Sequence, residues 1–349
     1  MTHHGTRFPF DNRPALAEDT SGSARIAPQR RVSIGFPVYN GELYLEQAIA
    51  SLLDQTLQNF ELIISDNCSN DATKDICEEF ARRDPRVSYY RNDRNLGGAA
   101  NFNRVVELAR GEFFAWANDD DVYAPTYLER CVAELDRCPG AVLAYSRSAK
   151  IDAKGALVGP LVYGLGLGNP SPARRLRQYH DLFRDIDRRN GWADDDVEGL
   201  WVPVYGVMRT GVLRRTGMLG PYISSDTVLI EELLILGAFA EVDEQLFYKR
   251  DHPKRSMRAC VSYDKRFNWF SGHRSPRLLF PRWRLLGERL RATLRAPVPV
   301  SKRFACLVEM LAYYVRRPSE GRGLIKEILV NGRRLVGGTA GARGALERW

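Results

Sequence analysis

Apolar residues between Arg31 and Tyr145 recur in two alternating rhythms. Short, nearly continuous runs at Val32–Phe36, Phe60–Ser65 (FELIIS), Val87–Arg91 (VSYYR) and Phe113–Ala117 (FFAWA) are separated by segments with helical spacing. In the first of those segments, Leu43–Thr56, residues Leu45, Ala48, Ile49, Leu52 and Leu53 fall on one helical face. Asp71–Arg83, with Asn70 or Asp71 as its N-cap, and Gly98–Ala109, ending before Gly111, predict two more helices. A fourth opens at Pro125 and runs to the neighbourhood of Asp136, with Gly140 past its end. Runs without an outward polar face suit strands covered on both sides. Strands alternating with helices therefore predict a doubly wound, mostly parallel α/β sheet with right-handed crossovers. Pro37 is expected to stop the first strand.

Beyond Tyr145 the rhythm loosens. Gly155–Asn169 (GALVGPLVYGLGLGN) is glycine-rich and without a period, which predicts a long loop or flap. Trp201–Met208 and Phe239–Tyr248 have strand character, and Asp226–Leu236 predicts an apolar helix stopped at Gly237. After His273 the chain turns helical and basic, with Pro297 and Pro299 between two segments. Residues 1–30 lack the apolar run of a signal peptide and read as a disordered tail. No stretch approaches the roughly eighteen uninterrupted apolar residues of a spanning helix, so a cytoplasmic chain is expected.

Composition adds two constraints. The six cysteines are scattered, with no C-x-x-C and no Cys/His cluster, which argues against structural zinc and a disulfide framework and suits a reducing compartment. Net charge is +8, but Lys265–Trp349 alone carries 19 Lys and Arg against 5 Glu, a local excess of +14. Such asymmetry points to an anionic partner for the C-terminal third. Arg277–Leu286 and the helix around Phe304–Tyr314 mix Arg with Leu, Phe, Trp or Tyr, as a helix lying among lipid headgroups does. The competing reading packs those apolar residues onto the rest of the protein.

In a parallel sheet, ligands collect beyond the carboxyl ends of the strands. Three polar clusters stand at such ends: Pro37-Val38-Tyr39-Asn40-Gly41-Glu42, Ser65-Asp66-Asn67 and Asn118-Asp119-Asp120-Asp121. No G-x-G-x-x-G or G-K-S/T sequence is present, so a glycine-rich phosphate loop is not supported. Three adjacent carboxylates repel one another, and a divalent cation offsets that cost. Mg²⁺ takes one or two carboxylates plus substrate phosphates, whereas a solvated turn is the plain alternative. Asp226 follows Ser224-Ser225 at a helix start, where capping competes with a role as general base. Glu231 and Glu232 stand next as candidates for that base. Trp192 and Trp201, flanking Asp194-Asp195-Asp196, could stack on a sugar, although packing is the simpler role.

The segments RVSIGFPVYNGELYLEQAIASLLDQT, FELIISDNCSND, NLGGAANFNRVVELARGEFFAWANDDD and DTVLIEELLILGAFAEVDEQLFYKRDHP together resemble family 2 glycosyltransferases with the nucleotide-sugar (GT-A) fold, over residues 31–255. The resemblance implies an inverting, Mg²⁺- or Mn²⁺-dependent transferase that takes a sugar from a nucleotide diphosphate, UDP favoured. The acceptor would be a glycan or lipid-linked hydroxyl. By the same resemblance, Pro37, Tyr39, Asn40, Glu42, Asp66 and Asn103 would bind the donor, Asp66 through its base. Asp119 and Asp120 would touch the donor and, with Asp121 and His252, hold the metal. Asn118 replaces the first carboxylate of the commoner motif, which leaves open which two ligate. Asp226 resembles the general base. Residues 31–145 would then be the nucleotide-binding half and 146–255 the acceptor half of a catalytic domain, followed by a basic helical region, 256–349. The enzyme would sit in the cytoplasm, peripheral to the inner face of the membrane, with polysaccharide or glycolipid synthesis as its setting. A nucleotidyltransferase on a similar fold is the first alternative, separable by whether sugar or nucleotide is transferred. A nucleic-acid-binding protein is the second, but no helix-turn-helix, zinc or RNP signature is present and no nucleic-acid partner is expected.

Overall fold

The computed structural model describes residues 31–162, 164–188, 199–255, 262–276 and 278–336. The expectations for the tail at 1–30, for Trp192 and Asp194–Asp196, for Arg277 and for residues 337–349 fall outside the described residues.

The chain builds one α/β sheet. Strands β1 (Val32–Val38), β2 (Phe60–Asp66), β3 (Val87–Arg91), β4 (Phe113–Trp116), β5 (Val122–Tyr123), β6 (Ala141–Ile151), β7 (Leu157–Val162), β8 (Val207–Arg209) and β9 (Ala238–Arg250) lie in the order β3-β2-β1-β4-β8-β6-β9-β5, with β7 beside β6. The β1–β2, β1–β4, β2–β3 and β6–β9 ladders are parallel and carry most of the paired positions; β8, β7 and β5 join antiparallel. Every residue of β1, β2 and β4 is buried, which is why their sequences show no polar alternation. Helices α1 (Leu45–Leu53), α2 (Thr73–Arg83), α3 (Gly98–Leu108) and α4 (Tyr127–Arg137) follow the first strands and pack on the sheet.

Three expectations are corrected. Pro37 lies inside β1 rather than ending it: β4 pairs only as far as Gly35, so the missing N–H leaves no gap on that side. The glycine-rich stretch contains β7, an outer strand whose exposed Leu157 and Val158 conceal it from a burial pattern. Trp201–Met208 is not one strand; a 3-10 turn at Val202–Tyr205 precedes the short β8.

The rest is helical: α5 (Pro172–Arg188), α6 (Ser225–Leu236), α7 (Tyr263–Ser271), α8 (Pro281–Arg295), α9 (Val300–Arg316) and α10 (Pro318–Val336). The pivotal one is α6. It is apolar all round and buried from Thr227 through Ile235, so it needs partners on every side. It touches β6 and β9 on one side and α5 and α8 on the others, while α9 packs on α5 and α8. Ala296, Cys306 and Met310 join the main core. The C-terminal helices therefore pack onto the rest of the protein.

Charges inside this junction are paired. Glu231 on α6 is fully buried; its Oε2 accepts from Arg289 Nε at 2.8 Å and its Oε1 lies 3.2 Å from His180 Nε2. The other nitrogen of His180 lies 3.3 Å from Glu309 Oε1 on α9, and Arg316 also bonds Glu309. Glu232 receives both nitrogens of Arg295 at 2.8–3.0 Å and the Gly217 N–H at 2.9 Å. Burial alone would raise the Glu231 carboxyl, but the Arg289 charge and the His180 hydrogen bond hold it below its ordinary value. Glu309 is likewise lowered: the His180 and Arg316 hydrogen bonds outweigh its burial.

This arrangement predicts a pH-dependent loss. Glu231→Gln strands the buried Arg289 charge and is expected to destabilise the protein by about 3–5 kcal/mol at neutral pH. A carboxylate with a depressed folded pKa stabilises fully above its unfolded value and loses that contribution as pH falls through the folded one. The gap in melting midpoint between wild type and Glu231→Gln should therefore be widest at neutral pH and narrow below about pH 4.5. A gap independent of pH would overturn this account.

Candidate active site

The three polar clusters converge beyond the ends of β1, β2 and β4 and line one cleft of about 600 Å³. The first two are stitched together. Asn40, in a left-handed backbone conformation (φ 55°) that Asn tolerates, donates its N–H to Ser69 Oγ at 2.9 Å and accepts from the Asn70 N–H at 2.9 Å. Glu42 accepts from the Ala72 N–H at 3.0 Å. Pro37, Tyr39, Asn40 and Glu42 all line the cleft, with Tyr39 40% exposed at its mouth.

Asp66 is not on that lining. It is fully buried, and both oxygens are engaged: Oδ1 by Ser69 N (2.8 Å) and Ser69 Oγ (2.6 Å), Oδ2 by Tyr89 OH (2.8 Å) and Arg91 Nη1 (2.7 Å). Contrary to the sequence expectation, this carboxylate offers no open acceptor to a base; it fixes Arg91 and the turn after β2. Asn103 is also displaced from the donor cleft. Its side-chain amide pairs with the Leu219 backbone, donating to the carbonyl at 2.9 Å and accepting from the N–H at 3.1 Å. Helical rotation instead turns Asn101 and Phe102 to the cleft. Asn101 ties α3 to the end of β2 through Ser65 Oγ (2.7 Å) and Ser65 O (2.8 Å).

The acidic triplet divides. Asp121 is fully buried, accepts from Arg250 N–H at 3.0 Å and Asn118 Nδ2 at 3.1 Å, and has Lys249 Nζ 3.7 Å away. It faces protein, which contradicts its expected role as a ligand. Asp119 and Asp120 line the cleft. Gly41 makes room for Asp119: a Cβ there would stand 2.1 Å from Asp119 Oδ2. Asp120 Oδ2 lies 3.1 Å from His252 Nε2, so the nitrogen facing the ionised oxygen carries the hydrogen. His252 Nδ1 is buried without a partner among the described residues, and its ring meets Tyr44 edge-on at 4.8 Å.

Electrostatics follow from this crowding. Burial and the neighbouring Asp120 charge push the Asp119 carboxyl well above its ordinary value. Asp120 is also penalised by burial, but the His252 hydrogen bond and the Lys249 charge bring it below. Burial raises Asp121 despite Lys249. Lys249 is raised in turn, because Asp121 and the other nearby anions outweigh its own burial. Two cleft-facing carboxylates with hard oxygen donors, crowded together so that a cation between them relieves their repulsion, fit Mg²⁺ or Mn²⁺ that takes its remaining ligands from phosphate and water. Among the described residues no group of three or more His, Cys, Asp or Glu forms a complete protein shell.

A second cavity of about 180 Å³ adjoins the first and shares Phe102, Tyr205, Lys249, Arg255 and Trp269 with it. Trp116, Trp201 and Phe270 add aromatic walls, and Asp226 stands on its lining. Asp226 is not the helix cap: Ser224 holds that position, at φ 63° and without a side-chain cap bond. Asp226 Oδ1 accepts from the Thr227 N–H at 2.8 Å, and burial raises its carboxyl. Glu231 and Glu232, locked in the ion pairs described above, do not reach either cavity. The helix bearing Trp269 and Phe270 is seated backbone to backbone: a Cβ on Gly97 (φ 87°) would lie 2.3 Å from Gly272 N, and one on Gly272 (φ 71°) 2.5 Å from Leu96 O. Lys249, Lys254 and Arg255 at the cleft were not singled out individually from sequence; the signal was a run of cations closing a strand.

The sheet order and the cleft at its strand ends thus give an α/β fold of the GT-A type. Residues 33–186 match the family model for glycosyl transferase family 2. An uncharacterised glycosyltransferase of Methanocaldococcus jannaschii is 33% identical over 129 residues, 36% of this chain and 44% of that protein. The chondroitin synthase of Escherichia coli is 32% identical over 136 residues, 39% of this chain and 20% of that protein. The chain thus spans less than half the length of these curated relatives. The structure of S. aureus TarS residues 1–349 in complex with UDP-GlcNAc superposes with a TM-score of 0.58 at 17% identity, covering 81% of this chain and 72% of that one; at this identity the likeness concerns the fold.

The displaced Asn103 yields a direct test. Asn103→Ala removes both bonds to Leu219 and should cost about 1–3 kcal/mol in urea denaturation. Nucleotide affinity, read by calorimetric titration, should stay unchanged; a selective loss of affinity would restore Asn103 to the donor site.

Proposed function

We propose that the protein is an inverting, metal-dependent glycosyltransferase that moves a sugar from a nucleotide diphosphate, UDP favoured, to a hydroxyl of a glycan or lipid-linked acceptor. Its setting is polysaccharide or glycolipid synthesis, at the cytoplasmic face of a membrane. One observation carries this reading: a carboxylate-and-cation cleft opens into an aromatic-walled cavity that holds a half-buried carboxylate. The family-model match of residues 33–186 supports it. In this reading residues 31–255 form the catalytic domain, and 256–349 the helical region that closes it.

The loops after β1 and β2 bind the nucleotide. Asp119 and Asp120 hold Mg²⁺ or Mn²⁺, which when bound neutralises charge on the diphosphate. Lys249, Lys254 and Arg255 form the cationic wall beside it, and His252 braces Asp120. The acceptor sugar stacks in the aromatic cavity. Asp226 takes the proton from its hydroxyl as that oxygen bonds the anomeric carbon, and the diphosphate leaves from the opposite face. Burial raises the Asp226 carboxyl, which makes it a better proton acceptor than an exposed aspartate.

The donor is tested by thermal shift with UDP- and GDP-sugars, with and without Mn²⁺, since binding to the native state raises the midpoint. Transfer should stop in EDTA and return with Mg²⁺ or Mn²⁺, and Asp120→Ala should lower the rate by at least about two orders of magnitude. Full activity in chelator, or nucleotide rather than sugar on the product, would overturn the proposal. Asp226→Asn should leave the melting midpoint near wild type while the transfer rate falls by about 10²–10⁴-fold. If transfer survives that change, the base lies elsewhere.

A further inference from the structure

Helix α9 has two apolar faces where one would suffice. Cys306, Met310 and Tyr313 are buried against the core. On the opposite side Val300, Phe304, Val308, Leu311 and Val315 are 76%, 67%, 50%, 54% and 79% exposed. Their spacing of four, four, three and four residues makes one stripe along about 22 Å of helix. Only Ser301, Ala305 and Ala312 share that arc, so it carries no charge. On α10, which packs beside α9, Ile325, Ile328 and Leu329 are exposed as well. Exposed apolar faces of this kind mark an interaction site.

Charge indicates what covers it. Pro281–Val336 carries 13 Lys and Arg against 4 Glu and no Asp. All four acids are drawn inward into ion pairs: Glu288 with Arg284 and Arg291, Glu309 with His180 and Arg316, Glu320 and Glu327 with Arg282. Arg322 and Lys326 are exposed on α10 beside Ile325 and Leu329 and pair with no acid among the described residues. A second copy of this chain would bring the same cations against these. An anionic bilayer surface would accept both the stripe and the cations. No described helix is long and apolar enough to cross a membrane, so α9 would lie on the surface rather than span it.

We propose that the outer faces of α9 and α10 form a docking surface for anionic phospholipid, with α9 lying in the headgroup plane. Of the two basic segments picked out in the sequence, this assigns the lipid contact to the second; in the first, Trp283 Nε1 is already engaged by Leu324 O at 3.0 Å. The inference stands apart from the transfer chemistry and is tested without donor or acceptor.

Full-length protein is co-sedimented with vesicles of phosphatidylcholine alone and of phosphatidylcholine with phosphatidylglycerol, across a salt series. Wild type should bind the anionic vesicles and release as salt rises. Phe304→Glu/Val308→Glu/Val315→Glu should lower partitioning at least about tenfold, because charge replaces buried apolar contact. Arg322→Glu/Lys326→Glu should remove the salt-sensitive part. Thermal melts and gel filtration accompany each variant; if the glutamate triple does not fold, the same three positions as serine replace it. The proposal is overturned if wild type ignores anionic vesicles at low salt or if the folded triple variant binds as wild type does. A dimer-to-monomer change in the variant without loss of vesicle binding would assign the stripe to a second copy and overturn it equally.

Discussion

The structure depends on the burial of α6. A helix with no polar face cannot end a fold, and this one carries two glutamates into the interior as well. Each must meet a cation there, because an unpaired buried carboxylate costs far more than a hydrogen bond returns. The cations come from Arg289 and Arg295 on a helix roughly sixty residues later in the chain. That requirement makes the C-terminal helices part of the core and sets α6 against the sheet, with its first turn at the aromatic cavity. The position of Asp226 is thus a consequence of pairing at the far side of the same helix.

The cleft follows a second constraint, the separation of polar groups that hold structure from those left open. Asp66 and Asp121, both off the cleft lining, spend their hydrogen-bonding capacity on neighbouring backbone and side chains. Asp119, Asp120 and His252 keep atoms without protein partners or facing the cleft. Arg250 binds the two sets together: it is almost wholly buried, stacks over Tyr44 at 4.5 Å, and bonds the Asp120 carbonyl at 2.9 Å and Gln47 at 2.6 Å. The acidic turn is therefore held by the Asp120 carbonyl and the Asp121 carboxylate, which leaves Asp119 and Asp120 facing the cleft.

Much of this was legible in the residues. Strands such as Phe113–Trp116 announced themselves because burial on both faces leaves no polar position to confuse the period. The polar clusters could be placed at strand ends from order alone. Direction was not legible. Neither the turn from Asn101 to Asn103 nor the inward rotation of Asp121 alters a pattern read at the level of residue type, since asparagine and aspartate serve a loop and a ligand equally well. For the same reason β7 stayed hidden, as an outer strand with exposed Leu157 and Val158 followed by Gly159. The two-faced character of α9 needed the fold, because a stripe reads as core until something shows which side the core occupies.

The contact between Gly97 and Gly272 has a consequence for how such proteins can be recombined. Two main chains touch there with no side chain between them, so no compensating substitution at a neighbouring position can absorb an added atom. Both glycines sit at positive φ, which removes the remaining freedom to substitute. One belongs to the loop on the rim of the cleft and the other to the cap of the helix that walls the adjoining cavity. A chimera that took its N-terminal half from one relative and its helices from another would have to inherit both glycines as a pair. Otherwise the seam would open at the mouth of the cleft, where the two parents meet.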